Sequence, residues 1–280
     1  MTKHQREEAD LPEMTFPAED ADRLGYGPGL ARLRDCWLGG HHHSERDRAV
    51  ADRILVCAPQ MPYLVRQRRM LQQRMVRYLI KHGVGQFIGF DAGVPTKGHI
   101  HEVAQPLLSD ARVVYLDNDP SIVRIGQDLL EGNEHTAYLH SETRCAGHVL
   151  DLPDLCRLID LREPVAVIML DTLQYVPAQE DPATLITPYT SAVCSGSYLA
   201  LSQFIPTQHM LEGLALYSQF YGQAPAIPFR EPEQLARLFA DFDIVEPGIV
   251  PVPLWHPDPD ENITADHERI PLSAGLARKP

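Results

Sequence analysis

Beyond Gly83 the chain alternates short apolar runs with stretches of helical periodicity, and this alternation limits the fold more than any single motif does. Strands covered on both faces read as near-continuous apolar runs, and neighbouring parallel strands need a crossover helix, so the pattern predicts a doubly wound α/β sheet. Strands are predicted at Gln86–Phe90, Arg112–Leu116, Thr136–His140, Pro164–Leu170 and Tyr198–Phe204. Helices between them are predicted at Gly98–Leu108, Pro120–Leu130, Leu152–Ile159 and Pro182–Val193, the last disturbed by Pro188. Two more follow near Thr207–Tyr221 and Pro232–Phe242, with extended pieces around Ile244 and Val252–Trp255 to complete a sheet edge.

Upstream, the clearest helices are Arg46–Val56 and Tyr63–Leu79, separated by breaks at Gly39-Gly40 and Pro59. The first twenty residues are acidic with scattered apolar positions, which predicts a mobile arm. From His256 the chain is rich in Pro and Asp and is expected to be irregular. The expected organisation is an arm at 1–22, a helical cap segment at 23–82, an α/β ligand-binding domain at 83–255 and an irregular tail at 256–280.

A net charge of −13 disfavours nucleic acid and anionic membrane surfaces, both of which require clustered Lys and Arg, so a small-molecule partner is the better expectation. No run approaches the 18 or more apolar residues of a membrane span and Met1–Asp10 is charged, which predicts a cytoplasmic protein. The five cysteines include no C-x-x-C pair and read as reduced thiols. His41, His42 and His43 cannot all face one metal from a regular element, and no metal site is expected.

In a doubly wound sheet, ligands lie beyond the carboxyl ends of the strands, so the loops to inspect are known in advance. After the first strand come Asp91-Ala92-Gly93-Val94-Pro95-Thr96; Gly93 allows close backbone approach, and Thr96 is suited to cap the next helix. The second strand ends at Asp117, 24 positions after Gly93, where a carboxylate can accept from ribose hydroxyls, with Asn118 beside the base. Asp119 before Pro120 reads as a helix N-cap. A nicotinamide cofactor would use the same acid, but the G-x-G-x-x-G turn is missing, which favours a nucleoside ligand without a diphosphate.

An ordered series of motifs carries a resemblance. Trp37-Leu38-Gly39-Gly40 with Asp47-Arg48, Gly85-Gln86-Phe87, Gly93-Val94-Pro95-Thr96, His101-Glu102-Val103-Ala104-Gln105, Val114-Tyr115-Leu116-Asp117-Asn118-Asp119-Pro120, Gly196-Ser197-Tyr198-Leu199 and Val245-Glu246-Pro247-Gly248 occur in that order. Over about Ala31 to His256 the chain resembles the S-adenosyl methyltransferase family first catalogued as a domain of unknown function, a branch of the class I methyltransferases. The resemblance implies a Rossmann-like class I sheet with an N-terminal helical segment over S-adenosylmethionine. It also implies a cofactor set of Asp91, Ala92, Gly93, Thr96, Asp117, Asn118, Glu142, Thr143, Arg144 and Leu170, with Trp37, Gly39, Gly40 and Arg68 from the helical segment.

Departures from the family pattern cluster at the expected pocket. The acid after strand one stands at Asp91, two places along from its usual position; the acid after strand three is Glu142; and after strand four Leu173-Gln174-Tyr175-Val176-Pro177 replaces a histidine-containing motif. On a helical wheel Leu64, Leu71, Met75 and Tyr78 share a face, Arg66, Arg69 and Arg77 lie opposite, and Arg68 falls on the apolar side. Arg68 there either meets an acceptor, such as the methionine carboxylate or Asp91, or reaches water along its stem. Trp37 or Tyr26 is expected to supply a lid aromatic.

Asp171, Gln174 and Tyr175 follow the fourth strand and are the expected catalytic residues, although Asp171 could equally cap a turn. Methyl transfer to a small-molecule acceptor, with Asp171 or Tyr175 taking the proton, is the first expectation. A second is cyclisation of the cofactor itself to azetidine-2-carboxylate with release of methylthioadenosine, Tyr175 facing the sulfonium. A third is cofactor binding without turnover.

Overall fold

A computed structural model describes residues 29–170, 172–177, 179–222, 226–259 and 270–280. Five parallel strands, β1 (Gln86–Phe90), β2 (Arg112–Asp117), β3 (Thr136–His140), β4 (Val165–Met169) and β5 (Tyr198–Phe204), run in the order β3-β2-β1-β4-β5. Beyond β5 the sheet continues with β8 (Leu272–Arg278), antiparallel to it, and then β6 (Asp243–Ile244); β7 (Val250–Pro251) also pairs with β8.

Strand side chains alternate between faces, and each face has its own core. Phe87 of β1 and Ala166 and Ile168 of β4 join one apolar cluster, whereas Ile88 and Phe90 of β1 and Val165, Val167 and Met169 of β4 join the other. The first face is covered by α3 (Met61–Lys81), through Leu71, Met75 and Leu79, all fully buried. Burying each such side chain stabilises the fold by about 1.5–3 kcal/mol. Ahead of α3 lie α1 (Leu30–Trp37) and α2 (Glu45–Cys57); α2 starts at a capping box in which Ser44 Oγ accepts from the Asp47 amide and Asp47 accepts from the Ser44 amide.

Helices α4 (Ile100–Ala104), α5 (Pro120–Leu129), α6 (Ala146–Leu150), α7 (Pro153–Leu158), α8 (Ala183–Ala192), α9 (Gln208–Tyr221) and α10 (Pro232–Arg237) complete the described elements, with 3₁₀ turns at Thr172–Tyr175 and Val252–Leu254. Asp119 caps α5 as expected, its side chain accepting from the Ser121 amide at 2.8 Å.

Three sequence expectations need correction. The tail does not stay irregular: Leu272–Arg278 is β8, paired along its length with β5, so the sheet extends past residue 255. Its Ser, Ala and Gly residues have little intrinsic strand preference. They suit a crowded position, since a Cβ on Gly275 would lie 2.3 Å from Ile249 Cδ1. Thr96 does not cap the following helix; α4 starts later, at Ile100, and its cap is His99, whose side chain accepts from the Ile100 amide. Arg69 does not face away from the core but is buried beside Arg68, because α3 packs against the sheet on one side and α1 on another.

Candidate functional site

Strand order reverses between β1 and β4, so the carboxyl ends of those strands border the crevice where an open α/β sheet binds ligands. The chain leaves β1 through a tight turn with Asp91 at φ 47° and Gly93 at φ 68°. Such left-handed backbone suits Gly93, while at Asp91 it costs about 1–3 kcal/mol, strain of the kind that gathers at functional turns. The turn is pinned from two neighbouring strands. Gly93 N–H donates to Asp117 Oδ2 at 3.0 Å, and Tyr138 Oη donates to the Gly93 carbonyl at 2.7 Å.

Asp117 Oδ1 accepts from the Asp119 amide at 3.0 Å. Burial pushes its carboxyl above the usual range, opposed by those two backbone donors. A carboxylate offers about four lone-pair sites, so both oxygens retain capacity for the hydroxyl donors of a ribose. Nearby, Ser141 after β3 and Thr172 after β4 are buried with hydroxyl oxygens that meet no hydrogen-bond partner among the described residues. Unpaired buried hydroxyls at the ends of these strands fit a polar ligand, and S-adenosylmethionine meets that test.

His99 is a positioning residue that the sequence reading missed. Its Nδ1 accepts from the Ile100 amide, which leaves Nε2 to donate to the Ala92 carbonyl at 3.1 Å and so tie the base of the turn to α4. Complete burial, reinforced by Arg69, holds its pKa well below the ordinary histidine value. An imidazole kept neutral in the folded state but protonated in the unfolded chain adds stability above the unfolded pKa near 6.5, and that stability is lost as pH falls below it. His101 shifts the same way through burial. The histidine contribution to the unfolding free energy is therefore expected to fall between pH 7.5 and 5.5, by up to about 1.4 kcal/mol per pH unit for each histidine, and the urea midpoint with it. His99→Asn should flatten that profile while lowering stability at pH 7.5; equal wild-type midpoints at the two pH values would count against the assignment.

Helix α1 lies over the turn, with Ala31 Cβ 3.6 Å from where a Gly93 Cβ would stand. Arg32 fastens it: Nη1 donates to Asp119 Oδ2 at 2.9 Å and to Ser121 Oγ at 2.6 Å, while Nε pairs with Asp47 at 3.3 Å. Burial would raise the Asp119 carboxyl, but Ser121 and Arg32 outweigh it and hold that group below its usual range. A small recess beside the turn is bordered by Arg34, Arg68, Arg69, Gly93 and Thr96, and Arg69 donates to the Thr96 carbonyl at 3.3 Å.

The Gly39-Gly40 loop wraps a buried carboxylate. A Cβ on Gly40 would fall 1.9 Å from Asp35 Oδ1, and Asp35 Oδ2 accepts from the His42 amide at 2.7 Å. His43 contributes its Nδ1 at 2.9 Å from the same oxygen; its Nε2 accepts from Arg48, so Nδ1 is the donor. These histidines organise the loop, and among the described residues no group of three or more His, Cys, Asp or Glu is placed to hold a metal.

A second, larger space of about 310 Å³ lies beyond the carboxyl ends of β4 and β5. Trp37, Met61, Gln174, Phe204, Met210 and Leu214 are among its walls, so the helices before Gly83, the segment after β4 and α9 all contribute.

The structure thus gathers Ala92, Gly93, Thr96 and Arg68 at the recess, with Asp91 on the same turn, Asp117 bonded to that turn from the end of β2, and Leu170 buried at the end of β4. Asn118 and Glu142 are exposed at the ends of β2 and β3, and the Thr143 carbonyl accepts from Tyr189 Oη at 2.6 Å. Arg144 sits on the surface, paired with Glu180 at 2.6 Å. Trp37 and Gln174 line the larger cavity instead. Asp171 and Tyr26 lie outside the described residues, as does the expected arm at 1–22; of Tyr175 only the backbone is described.

Arg230 is a second residue that sequence reasoning missed. It donates to the Leu173 carbonyl at 3.3 Å, the Val176 carbonyl at 3.1 Å and Gln203 Oε1 at 2.9 Å, and so braces the segment that carries Gln174. No local motif marks it, since its partners lie 27 to 57 positions away.

Residues 20–280 match the family model described as S-adenosyl methyltransferase. The chain is 32% identical to a candidate methyltransferase from Thermobifida fusca YX, covering 90% of this chain and 95% of that one at a TM-score of 0.80. With a DUF574 family protein from Streptomyces avermitilis it shares 30% identity, over 90% and 97% of the two chains, at a TM-score of 0.81. The magnesium protoporphyrin IX methyltransferase of Synechocystis, solved with bound S-adenosylmethionine, is similar in fold at 14% identity and a TM-score of 0.50, over 95% and 99% of the chains. No curated protein matches. Sheet order, the turn held by the acid that ends β2, and a family match over nearly the whole chain agree: the chain has the class I fold and belongs to the S-adenosyl methyltransferase family, whose cofactor is S-adenosylmethionine.

Proposed function

We propose that the protein transfers a methyl group from S-adenosylmethionine to a small-molecule acceptor held in the cavity beside Gln174. The observation that carries this reading is the position of that cavity: it adjoins the ends of β4 and β5, where Gln174 follows the strand bordering the crevice. A protein that only cyclised its own cofactor would need no second apolar chamber.

In this reading the Gly93 turn supports the cofactor, Asp117 accepts from the ribose hydroxyls, Asn118 and Ser141 border the base, and Arg68 meets the methionine carboxylate. The bound cofactor supplies an electrophilic methyl group on sulfur, and transfer forms the bond from methyl to acceptor as the sulfur takes back its electron pair. Catalysis is mainly alignment of the acceptor within about 3–3.5 Å of the methyl carbon. Gln174 carries no titratable proton and orients the acceptor; Asp171 or Tyr175 removes its proton. The helices before Gly83 act as the cap, with Arg32 as its fastening.

Mass spectrometry of purified protein incubated with S-adenosylmethionine, alone and with a panel of small phenols, alcohols and amines, tests the reading. S-adenosylhomocysteine is expected only when a suitable acceptor is present. Methylthioadenosine formed without acceptor would replace methyl transfer with cleavage of the cofactor.

A further inference from the structure

The walls of the larger cavity define what it can hold. Its lining includes Leu30, Ile54, Met61, Phe204, Met210 and Leu214, and among the described residues around it none is Asp, Glu, Lys, Arg or His. A ligand carrying a carboxylate, phosphate or ammonium group would leave an unpaired charge in an apolar chamber, which is strongly disfavoured. At about 310 Å³ the space is at the small end of the roughly 300–1,000 Å³ range of ligand pockets.

Two donors in this wall lack partners. Trp37 is 7% exposed, and its indole Nε1, which can only donate, is buried without a hydrogen-bond partner among the described residues; Gln174 Nε2 is in the same condition. Buried donors are nearly always satisfied, so two unsatisfied ones on side chains that line a single chamber call for acceptor atoms supplied by whatever fills it. Among the described residues, Tyr217 and Cys57 complete the few polar groups around it.

We infer that the cavity binds a compact, uncharged, largely apolar molecule bearing carbonyl or ether oxygen, met by Trp37 Nε1–H and the Gln174 amide. The chemistry of this occupant rests on the cavity alone; its role as methyl acceptor rests on the methyl-transfer reading above. The specificity is a joint product of three parts of the chain, since α1 brings Trp37, the segment after β4 brings Gln174, and α9 supplies much of the apolar wall.

Calorimetric titration of the full-length protein with three probes of similar size, each with and without S-adenosylhomocysteine, tests the inference. The probes are 2-acetylnaphthalene, 2-ethylnaphthalene and 2-naphthoate. The ketone is expected to bind at least about tenfold more tightly than the carboxylate and about three- to tenfold more tightly than the hydrocarbon. Combining Trp37→Phe with Gln174→Leu should bring the ketone down to the level of the hydrocarbon. Leu214→Trp, on the partly exposed helix α9, should weaken both by tenfold or more and leave S-adenosylhomocysteine affinity unchanged. The inference is overturned by a carboxylate that binds within threefold of the ketone, by a ketone no tighter than the hydrocarbon, or by full affinity in Leu214→Trp. Binding of S-adenosylhomocysteine with none of the probes would overturn it alone. Probe binding in the expected order without any S-adenosylhomocysteine binding would sustain it and remove the methyl-transfer reading.

Discussion

Replacing Asp117 by Asn is expected to weaken S-adenosylhomocysteine binding by at least about a hundredfold. The Asp117 oxygens already accept from the Gly93 and Asp119 amides, at 3.0 Å in each case, so whatever else approaches them must also be a donor. Ribose hydroxyls meet that requirement; an Asn amide nitrogen would confront both a backbone N–H and the sugar with a donor of its own. Hydrogen bonds to a charged group contribute about 1.5–3 kcal/mol each, and each 1.4 kcal/mol is tenfold in affinity, so loss of two implies two orders of magnitude or more. Calorimetry on the variant measures this directly, with a thermal melt to show that the Gly93 turn still folds. An affinity within tenfold of wild type would end the ribose role of Asp117.

The largest effect on stability is expected at Arg230. Arg230→Met keeps much of the stem but removes the donors to the Leu173 and Val176 carbonyls and to Gln203 Oε1; the Leu173 carbonyl keeps the Val176 amide, while the Val176 carbonyl and Gln203 Oε1 lose the charged donor that pairs them. Burial lowers the Arg230 pKa from its ordinary value, yet guanidinium remains charged at neutral pH, so these are charge-assisted bonds whose loss costs about 3 kcal/mol. Urea unfolding reads that cost; a change under about 1 kcal/mol would show that the brace is not needed. Since Arg230 acts through the segment bearing Gln174, turnover should fall more than S-adenosylhomocysteine affinity does. An equal loss of both would mark general damage to the fold instead of loss of positioning.

The central parallel strands were legible because β1, β2 and β4 are apolar runs covered on both faces, and such a run has no polar alternative in which to hide. Predicted Gln86–Phe90, Thr136–His140 and Tyr198–Phe204 coincide with β1, β3 and β5. The Asp119-Pro120 cap was equally local, a side chain bonding the backbone two positions on. Helix α3 was located correctly, but its wheel misjudged Arg69 because a single apolar stripe describes a helix with one buried face, and α3 is covered on more than one. His99 escaped notice because the same local spacing fits an exposed histidine; only the Ala92 carbonyl beside it shows what it holds.

Sequence by itself determined the five parallel strands and the order in which strand and helix alternate between them, since these follow from hydrophobic period and turn chemistry within a few residues. Only tertiary structure decided that Leu272–Arg278 becomes a strand, that Arg230 braces the segment after β4, and that Trp37 and Gln174 share a chamber with no charged side chain among the described residues. Those outcomes depend on side chains many positions apart being brought into contact, and burial by a distant neighbour leaves no trace in local pattern.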